Sequence, residues 1–419
     1  MQKIAIVGAG VIGMATALEL ARQGHEPVVF DRRATIAEEA SFGCTGLVAQ
    51  GWPWPWPLDG DPAPAWGNPA PSGWRNWVRR QPAGTDSTIQ AARVRHLRAL
   101  IDLGEDLLDP PQAHAATDND GREEPVPAQD GLLVFWRHTE GHDRARALLD
   151  RLADAGMPLE GLDVGTVRAL EPGLHPDTPL ARVLRIGHSY SAVPRQTAMH
   201  WRDEALDAGA RLEMVREVVD LVPGRQPGLR WHAPDTDRPQ EATFDAVVVC
   251  AGAASAALLR AAGWQGQSWL LQGKSLAAPL GDAVFAPRHP VFDADHQALI
   301  VAQNGRLRVA GAFTAVRPSA SPSPLEAYAD LYRVLEDWFP AAARLRGQHQ
   351  GTVQHWEALI GRSQDGLPQI GASGLPGIWV NIDHGAQGWA VAPGSARLLA
   401  ALIDGAPTPI DAAPFIPGR

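Results

Sequence analysis

The first 31 residues constrain the fold of this chain more than any other segment. Residues 3–7, Lys-Ile-Ala-Ile-Val, predict a short buried strand that runs directly into residues 8–13, Gly-Ala-Gly-Val-Ile-Gly. Residues 14–23 have the apolar spacing of a helix that packs on a sheet, and a second apolar strand at residues 27–30 ends at Asp31. Strand, glycine turn, helix and acid-terminated strand in this order predict a dinucleotide-binding βαβ unit.

Each glycine of the turn has its own task in such a unit. Gly8 permits the tight turn, Gly10 lets the backbone approach phosphate groups, and Gly13 lets the helix pack closely on the strand. The helix N-terminus then faces the pyrophosphate, and the Asp31 carboxylate faces the ribose hydroxyls. A glycine-rich turn without a ligand is the alternative, and it leaves Asp31 unexplained.

Composition limits the class of protein. A chain of 419 residues exceeds one typical core, so we expect two domains or two intertwined lobes. The formal net charge is −10 and no basic block occurs, which argues against nucleic acid as a partner.

Cys44 and Cys250 cannot make a disulfide framework, and the chain enters a strand at once, so we expect a cytoplasmic protein. No apolar run approaches the roughly 20 residues that span a bilayer, although peripheral contact with the inner membrane stays open. The 14 histidines show no ligand-spaced cluster, so no metal is expected.

Apolar periodicity and turn residues divide the rest of the chain. Helices are predicted at residues 87–108, 142–155 and 197–208. Strands are predicted at residues 132–136, 211–214, 217–221 and 244–250. A hairpin is predicted around the turn at Asn304 and Gly305. Loops are predicted at the proline- and tryptophan-rich residues 50–81 and at the polar residues 112–129.

A second strand–turn–helix unit lies near the C-terminus. Residues 378–382 predict a strand, residues 383–389, Asp-His-Gly-Ala-Gln-Gly-Trp, a glycine-rich turn, and residues 391–403 a helix that Gly405 ends. The helix N-terminus offers backbone amides that can stabilise negative charge on the pyrimidine side of a reduced flavin. A nicotinamide enzyme has less need of such an element, so the second unit favours FAD over NAD.

Motifs occur along nearly the whole chain, at residues 8–13, 41–46, 244–252, 271–275, 308–311, 365–371 and 384–389. In this order they resemble the motifs of the D-amino acid oxidase superfamily of FAD enzymes, and within it most of all those of the small subunit of bacterial D-amino acid dehydrogenases. The resemblance implies an α/β fold: a GR2-type, Rossmann-like FAD-binding domain with an interleaved α+β substrate domain on a mainly antiparallel sheet. The implied FAD-binding domain comprises residues 1–75, 142–178, 192–262 and 362–419. The implied substrate domain comprises residues 76–141, 179–191 and 263–361.

The resemblance also implies a set of FAD-binding residues. Those expected at the pyrophosphate are Gly8, Gly10, Val11, Ile12 and Gly13. Those expected at the adenosine are Asp31, Arg32, Arg33 and the backbone of Val218. Those expected near the pyrophosphate and the flavin are Ser41, Gly43, Cys44, Thr45, Gly46, Ala251 and Gly252. Those expected at the pyrimidine end are Gly385, Ala386, Gln387, Gly388 and Trp389.

The implied reaction is hydride transfer from the amine-bearing carbon of an amine or a D-amino acid to flavin N5, which gives an imine that water hydrolyses. Because the cofactor carries the chemistry, a dedicated general base is not obligatory. Tyr190 falls where the superfamily places residues above the flavin, with an ordinary half-buried tyrosine as the alternative. Lys274 is expected near N5 or, alternatively, solvated at a strand end. Cys44 either packs beside the ring or links the flavin covalently.

One departure from the superfamily pattern concerns the substrate carboxylate. Its amino acid oxidising members carry a Gly-Leu-Arg-Pro segment whose arginine binds that carboxylate, and residues 356–362 here place Ile360 at the arginine position. Such a bond contributes roughly 1.5–3 kcal/mol. Either Arg362 reaches in, or Arg288 or Arg308 substitutes, or the substrate has no free carboxylate, in which case Glu357 is a candidate partner for a cationic or amide group. An ion pair with Asp365 or Glu357 is the alternative role for Arg362.

Three functions stay open on the sequence alone. The first is an FAD-dependent amine or D-amino acid dehydrogenase or oxidase, including a sarcosine or glycine oxidase-like enzyme. Its partners would be a small amine or amino acid and an electron acceptor, namely a quinone, oxygen or a partner protein. The second is a nicotinamide dehydrogenase, and the third is a flavin-binding subunit without catalytic activity.

Overall fold

A computed structural model gives the fold of the chain. It describes residues 1–49, 87–108, 114–117, 123–126, 130–234, 236, 238–315, 327–345 and 352–418. The α-helices of these residues are α1 (Val11–Arg22), α2 (Ser87–Gly104), α3 (Thr139–Asp154), α4 (Val164–Leu170), α5 (Pro194–Asp207), α6 (Ser255–Ala261), α7 (Ala329–Trp338) and α8 (Gly388–Asp404).

The strands up to residue 222 are β1 (Lys3–Val7), β2 (Glu26–Asp31), β3 (Leu47–Ala49), β4 (His114–Thr117), β5 (Glu123–Val126), β6 (Leu132–Trp136), β7 (Leu159–Leu162), β8 (Arg182–Ile186), β9 (Ser189–Ser191), β10 (Arg211–Met214) and β11 (Glu217–Val222). The later strands are β12 (Gly228–His232), β13 (Gln240–Thr243), β14 (Ala246–Val249), β15 (Trp269–Pro279), β16 (Val291–Asp293), β17 (Ala298–Gln303), β18 (Arg306–Ala315), β19 (Gln354–Arg362), β20 (Gln369–Ala372) and β21 (Ile378–Ile382).

A six-stranded sheet forms the centre of the first lobe. Its strands follow the order β10, β2, β1, β14, β21, β20, and all neighbours are parallel except β20 and β21. Alternate residues of β1 face opposite sides: Ile4 and Ile6 pack under α1, α2, α5 and α8, whereas Ala5 and Val7 pack against α6 and the sheet of β11, β12 and β13. Burial on both faces explains why β1 and β14 have continuous apolar sequences.

An eight-stranded sheet forms the second lobe. Its order is β19, β15, β18, β17, β16, β6, β8, β7, and all neighbours are antiparallel except β16 and β6. One face, which includes Leu307 and Val309, packs against α7. The opposite face includes Leu299 and Val301, which pack in one cluster with residues of α3 and with Ala386. The α/β class with a mainly antiparallel second sheet is therefore confirmed.

Most of the predicted elements occur within a few residues of their expected bounds. The prediction for residues 112–129 was wrong in part, because β4 and β5 form a two-stranded antiparallel ribbon within this range. The predicted loop at residues 50–81 lies outside the described residues.

The domain boundaries stay a prediction. Residues 142–178 were assigned to the FAD-binding domain, but β7 within this range is the edge strand of the eight-stranded sheet and pairs with β8. Which sheet edge a short strand joins depends on free backbone groups elsewhere in the fold, and a sequence pattern does not reveal these.

Candidate active site

A cavity of about 460 Å³ connects the two lobes. At one end its wall includes Val7, Phe30 and Asp31, where β1 and β2 end. At the other end the wall includes residues 273–275 of β15 and 356–361 of β19. The carboxyl ends of parallel strands are where α/β sheets bind their ligands. The cavity therefore extends from the glycine turn after β1 to the sheet of the second lobe.

The glycine turn after β1 is packed so closely that side chains do not fit. Gly8 has φ +110°, and a Cβ at this position would lie 2.5 Å from the carbonyl oxygen of Cys250. A Cβ on Gly13 would lie 1.8 Å from the carbonyl oxygen of Gly8. Gly10 is the N-cap residue of α1 and has no side chain to cap it, so the first turn of α1 presents its backbone amides at the cavity. Val11 and Ile12 are also in the wall, whereas Gly13 lies behind it.

Asp31 is fixed at the end of β2 by two backbone amides. Its Oδ2 accepts the N–H of Ala9 over 2.6 Å, and its Oδ1 accepts the N–H of Arg33 over 2.8 Å. Burial raises the pKa of the Asp31 carboxyl above its ordinary value. Each carboxylate oxygen has a further lone pair, so Asp31 can still accept hydroxyl groups from a ligand in the cavity.

Glu39 pairs with both predicted arginines through its carboxylate and contacts the second lobe through its backbone. Its carboxylate pairs with Arg32 over 2.9 Å and with Arg33 over 2.6 Å; Arg32 is in the wall and Arg33 is not. The carbonyl oxygen of Glu39 accepts the indole N–H of Trp356 on β19 over 3.1 Å. The Trp356 ring lies 4.8 Å from the ring of Phe42. These contacts join the segment after β2 to the second lobe across the cavity.

The predicted turn at residues 41–46 contributes four residues to the wall, namely Ser41, Gly43, Cys44 and Thr45. The Ser41 hydroxyl accepts the N–H of Val11 over 3.2 Å, which ties this turn to the start of α1. Burial raises the pKa of the Cys44 thiol. Gly46 lies behind the wall with φ +67°, and a Cβ at this position would lie 2.0 Å from the carbonyl oxygen of Ala192.

The C-terminal turn forms another part of the wall. Asp383, with φ +64°, accepts the Ser268 hydroxyl over 2.6 Å and the Gln369 amide over 2.7 Å. Burial lowers the pKa of His384 to about 3, so its imidazole is neutral. Gly385, Ala386, Gly388 and Trp389 also line the cavity, as do Val218, Ala251 and Gly252, whereas Gln387 does not.

Two of the predicted catalytic residues, Lys274 and Glu357, are in the wall and are cross-strand neighbours. Lys274 Nζ donates to the carbonyl oxygen of Ala327 over 3.0 Å and lies 5.6 Å from the Tyr328 ring centroid. Glu357 accepts a hydrogen bond from the Gln272 amide.

The other two predicted catalytic residues, Tyr190 and Arg362, are not in the wall. Tyr190 pairs with Val48 between β9 and β3 and packs on the core of the first lobe. Arg362 lies two residues beyond Ile360 on β19, past the end of the cavity. It is buried near Arg93 and Gly366, and this burial holds its pKa well below the ordinary value.

Sequence reasoning missed several wall residues. These are Glu39, Arg216, Glu217, Ser275, Ala310, Phe313, Trp356, Ala358 and Asn381. Asn381 gave a usable signal, because it is a polar residue inside the otherwise apolar strand β21. The residues of β15, β18 and β19 lie in or beside the motifs at 271–275 and 308–311 and the segment 356–362, but the sequence did not show which of them reach the wall, since which face of an antiparallel strand meets the other lobe is decided by tertiary packing.

Comparison with known proteins identifies the family. The family model described as FAD dependent oxidoreductase matches residues 3–402. The chain belongs to this family of FAD-dependent oxidoreductases. It is therefore an enzyme of the oxidoreductase class.

Individual members of the family match along nearly the whole chain. A D-amino acid dehydrogenase of Cereibacter sphaeroides (strain ATCC 17029) is 30% identical, over 98% of this chain and 94% of its own length. Glycine oxidase from Geobacillus kaustophilus superposes with a TM-score of 0.71 at 21% identity, over 100% of this chain and 99% of that one. L-proline dehydrogenase from P. horikoshii gives the same TM-score of 0.71 at 15% identity, over 99% and 96% of the two chains. The two structures share the fold of this oxidoreductase.

Two kinds of feature are absent from the described residues. No described helix is both long and apolar enough to cross a membrane. The described histidines, cysteines and acidic residues include no group of three or more that could hold a metal ion.

Proposed function

We propose that this oxidoreductase binds FAD and oxidises an amine or a D-amino acid at the carbon that bears the amine. The observation that carries the proposal is that one continuous cavity extends from the glycine turn and Asp31 to the sheet of the second lobe. The names of the curated relatives, D-amino acid dehydrogenase, support the substrate class.

The wall residues fit FAD at both of its ends. At one end, the amides at the start of α1 suit the pyrophosphate and Asp31 suits the ribose. At the other end, the amides at the start of α8 and the neutral His384 suit the flavin ring. The residues expected from the superfamily resemblance fall on this wall with few exceptions.

When bound, FAD supplies the hydride acceptor, so the substrate becomes an imine that water hydrolyses. The chain's own residues position the substrate and exclude water. Ala310, Phe313 and Ile360 give the substrate end of the wall an apolar surface that suits this task. A substrate amine that enters in its neutral form needs no general base. Lys274 and Glu357 are on the strand face opposite to that of Ser275 and Trp356, where Lys274 Nζ is bound to the carbonyl oxygen of Ala327 beside α7, so we assign neither side chain to the amine end.

A second candidate is the oxidation of an amine without a free carboxylate. Ile360 favours it, because an apolar residue stands in the wall where superfamily members that oxidise amino acids have an arginine.

The experiment that tests the proposed function is a product assay with an artificial electron acceptor such as dichlorophenolindophenol. We expect ammonia and a 2-oxo acid from a D-amino acid, and an aldehyde from an amine without a carboxylate. L-enantiomers are the matched controls for stereochemistry. A holoenzyme that releases no such product from D-amino acids, N-methyl amino acids or simple amines would contradict the proposal.

We also propose that electrons leave to a quinone, to oxygen or to a partner protein, with peripheral membrane contact in the case of a quinone. Oxygen uptake, reduction of a soluble quinone and sedimentation with lipid vesicles distinguish these acceptors. Hydrogen peroxide in stoichiometric amounts would identify an oxidase.

A further inference from the structure

The described residues contain a half-buried cation beside the cavity without an acidic partner. Arg308 on β18 donates from Nη1 to the hydroxyl of Ser275 over 3.4 Å, and the described residues offer it no ion pair. Burial lowers the pKa of its guanidinium, the nearby Cys44 thiol opposes this shift, and the charge of Arg306 lowers the pKa further. A desolvated cation with no carboxylate beside it gains stability when an anion binds.

The register of the eight-stranded sheet places Arg308 on the face that meets the cavity. Its neighbours in sequence, Leu307 and Val309, belong to the opposite face, which packs against α7. Arg308 is therefore on the same face as Ala310, two residues along β18, and Ala310 is in the cavity wall. Ser275 is opposite Ala310 on β15 and is also in the wall. The guanidinium thus lies behind the wall and contacts it through the hydrogen bond to Ser275.

The other cations near the cavity already have partners. Arg32 pairs with Glu39, and Arg216 lies 3.8 Å from Glu213, both at the nucleotide end. Lys274 is bound to the carbonyl oxygen of Ala327. Neither Arg362 nor Arg288 is in the wall, and the backbone N–H of Arg288 is bound to the buried carboxylate of Glu171.

We propose that Arg308 and the Ser275 hydroxyl bind the carboxylate of the substrate. This inference rests on the proposed oxidation of an amino acid, and it selects substrates with a free carboxylate. It places the anion anchor on β18, on the opposite side of β15 from Ile360. A guanidinium presents two parallel donors to a carboxylate, and its charge strengthens both hydrogen bonds.

The test uses two ligands of the same shape, benzoate and benzamide, which differ in charge and have no C–H bond next to an amine. Their dissociation constants are measured by titration of the visible flavin spectrum of the holoenzyme. We expect benzoate to bind the wild-type protein more tightly than benzamide. Arg308→Met and Arg308→Gln are each expected to raise the dissociation constant of benzoate roughly tenfold to hundredfold and to leave that of benzamide unchanged. Arg308→Lys is expected to restore part of the loss.

The matched control is Arg306→Met. Arg306 is on the same strand and donates to the backbone carbonyls of Ala277 and Thr352 over 3.3 and 3.1 Å, outside the wall. We expect this variant to bind both ligands as the wild-type protein does.

Several results would overturn the inference. One is a wild-type holoenzyme that binds benzoate no more tightly than benzamide. Another is unchanged benzoate affinity in the folded Arg308→Gln or Arg308→Met variant. A third is a weakened affinity for FAD in both variants, which would assign Arg308 to the cofactor. A wild-type protein that takes up no FAD would instead contradict the proposed function itself.

Discussion

The backbone amide of Ala9 donates to Asp31 Oδ2 over 2.6 Å, so the glycine turn after β1 and the end of β2 are held in one arrangement. This bond crosses from one strand end to the next, and Gly8 N–H adds a second link by donating to the carbonyl oxygen of Phe30 over 2.8 Å. The carboxylate is thereby fixed beside the amides of α1 before any ligand enters. Preorganisation of this kind reduces the entropy that binding must overcome.

Asp31→Asn is expected to weaken FAD binding roughly tenfold to hundredfold, because the neutral amide loses charge-assisted bonds to the ribose. Isothermal titration of the apoprotein with FAD measures the change. Asp245→Asn is the control, since Asp245 also accepts a backbone amide, that of Lys3 over 2.7 Å, but is not in the cavity wall. Equal affinities in the Asp31 variant and the control would contradict a role of Asp31 at the cofactor.

Gly13→Ala is expected to destabilise the first lobe by about 1–3 kcal/mol or more, because the new Cβ would lie 1.8 Å from the carbonyl oxygen of Gly8. Gly161→Ala is the matched control, because no atom lies within 4 Å of a Cβ at that position. Urea unfolding compares the two variants. A Gly13→Ala protein as stable as Gly161→Ala would show that the helix does not pack on the turn as described.

His384 is expected to make stability depend on pH. Burial lowers its pKa from an ordinary 6.5 to about 3, so the unfolded chain takes up a proton that the folded chain does not. Stability is then fully present above about pH 6.5 and falls, by about 1.4 kcal/mol per pH unit, as the pH drops toward 3. His384→Gln removes this dependence, so between pH 6.5 and 5 the variant should lose about 2 kcal/mol less than the wild-type protein.

Urea unfolding at these two pH values, with FAD in equal excess, measures the difference. The control is His200→Gln, because the His200 side chain on α5 is 65% exposed. Its pH dependence should match that of the wild-type protein. A His384→Gln variant with the wild-type slope would mean that the imidazole is not held neutral by burial.

Trp356→Ala is expected to speed the release of FAD about tenfold, since the indole joins β19 to Glu39 and Phe42 across the cavity. Trp356→Phe retains a ring against Phe42 and loses only the N–H donor, so its effect should be smaller. The recovery of flavin fluorescence after dilution measures release. Identical rates for the alanine variant and the wild-type protein would contradict a closing role for Trp356.

The first lobe could be predicted from the sequence because its signals are local. The glycine turn at residues 8–13, the acid at Asp31 and the turn at residues 383–389 are each defined by neighbouring residues. Backbone conformation and helix dipoles act over the same short range, so the local sequence is enough to predict a ligand-binding turn.

The substrate end could not be predicted in the same way. Trp356 and Ser275 are cross-strand neighbours more than 80 positions apart, and Ser275 meets Ala310 on a third strand. Their role depends on register and on which face meets the other lobe, and neither is encoded locally. Arg362 illustrates the difficulty: it is two residues from Ile360 on one strand, yet it lies past the end of the cavity.

The most direct test of the central claim is an anaerobic visible spectrum of the purified protein before and after addition of D-amino acids, N-methyl amino acids and amines without a carboxylate. We predict the bands of oxidised flavin in the resting protein and their bleaching by one substrate class, with D-amino acids first. A colourless protein that takes up no added FAD, or a yellow protein that none of these compounds bleaches, would contradict the account.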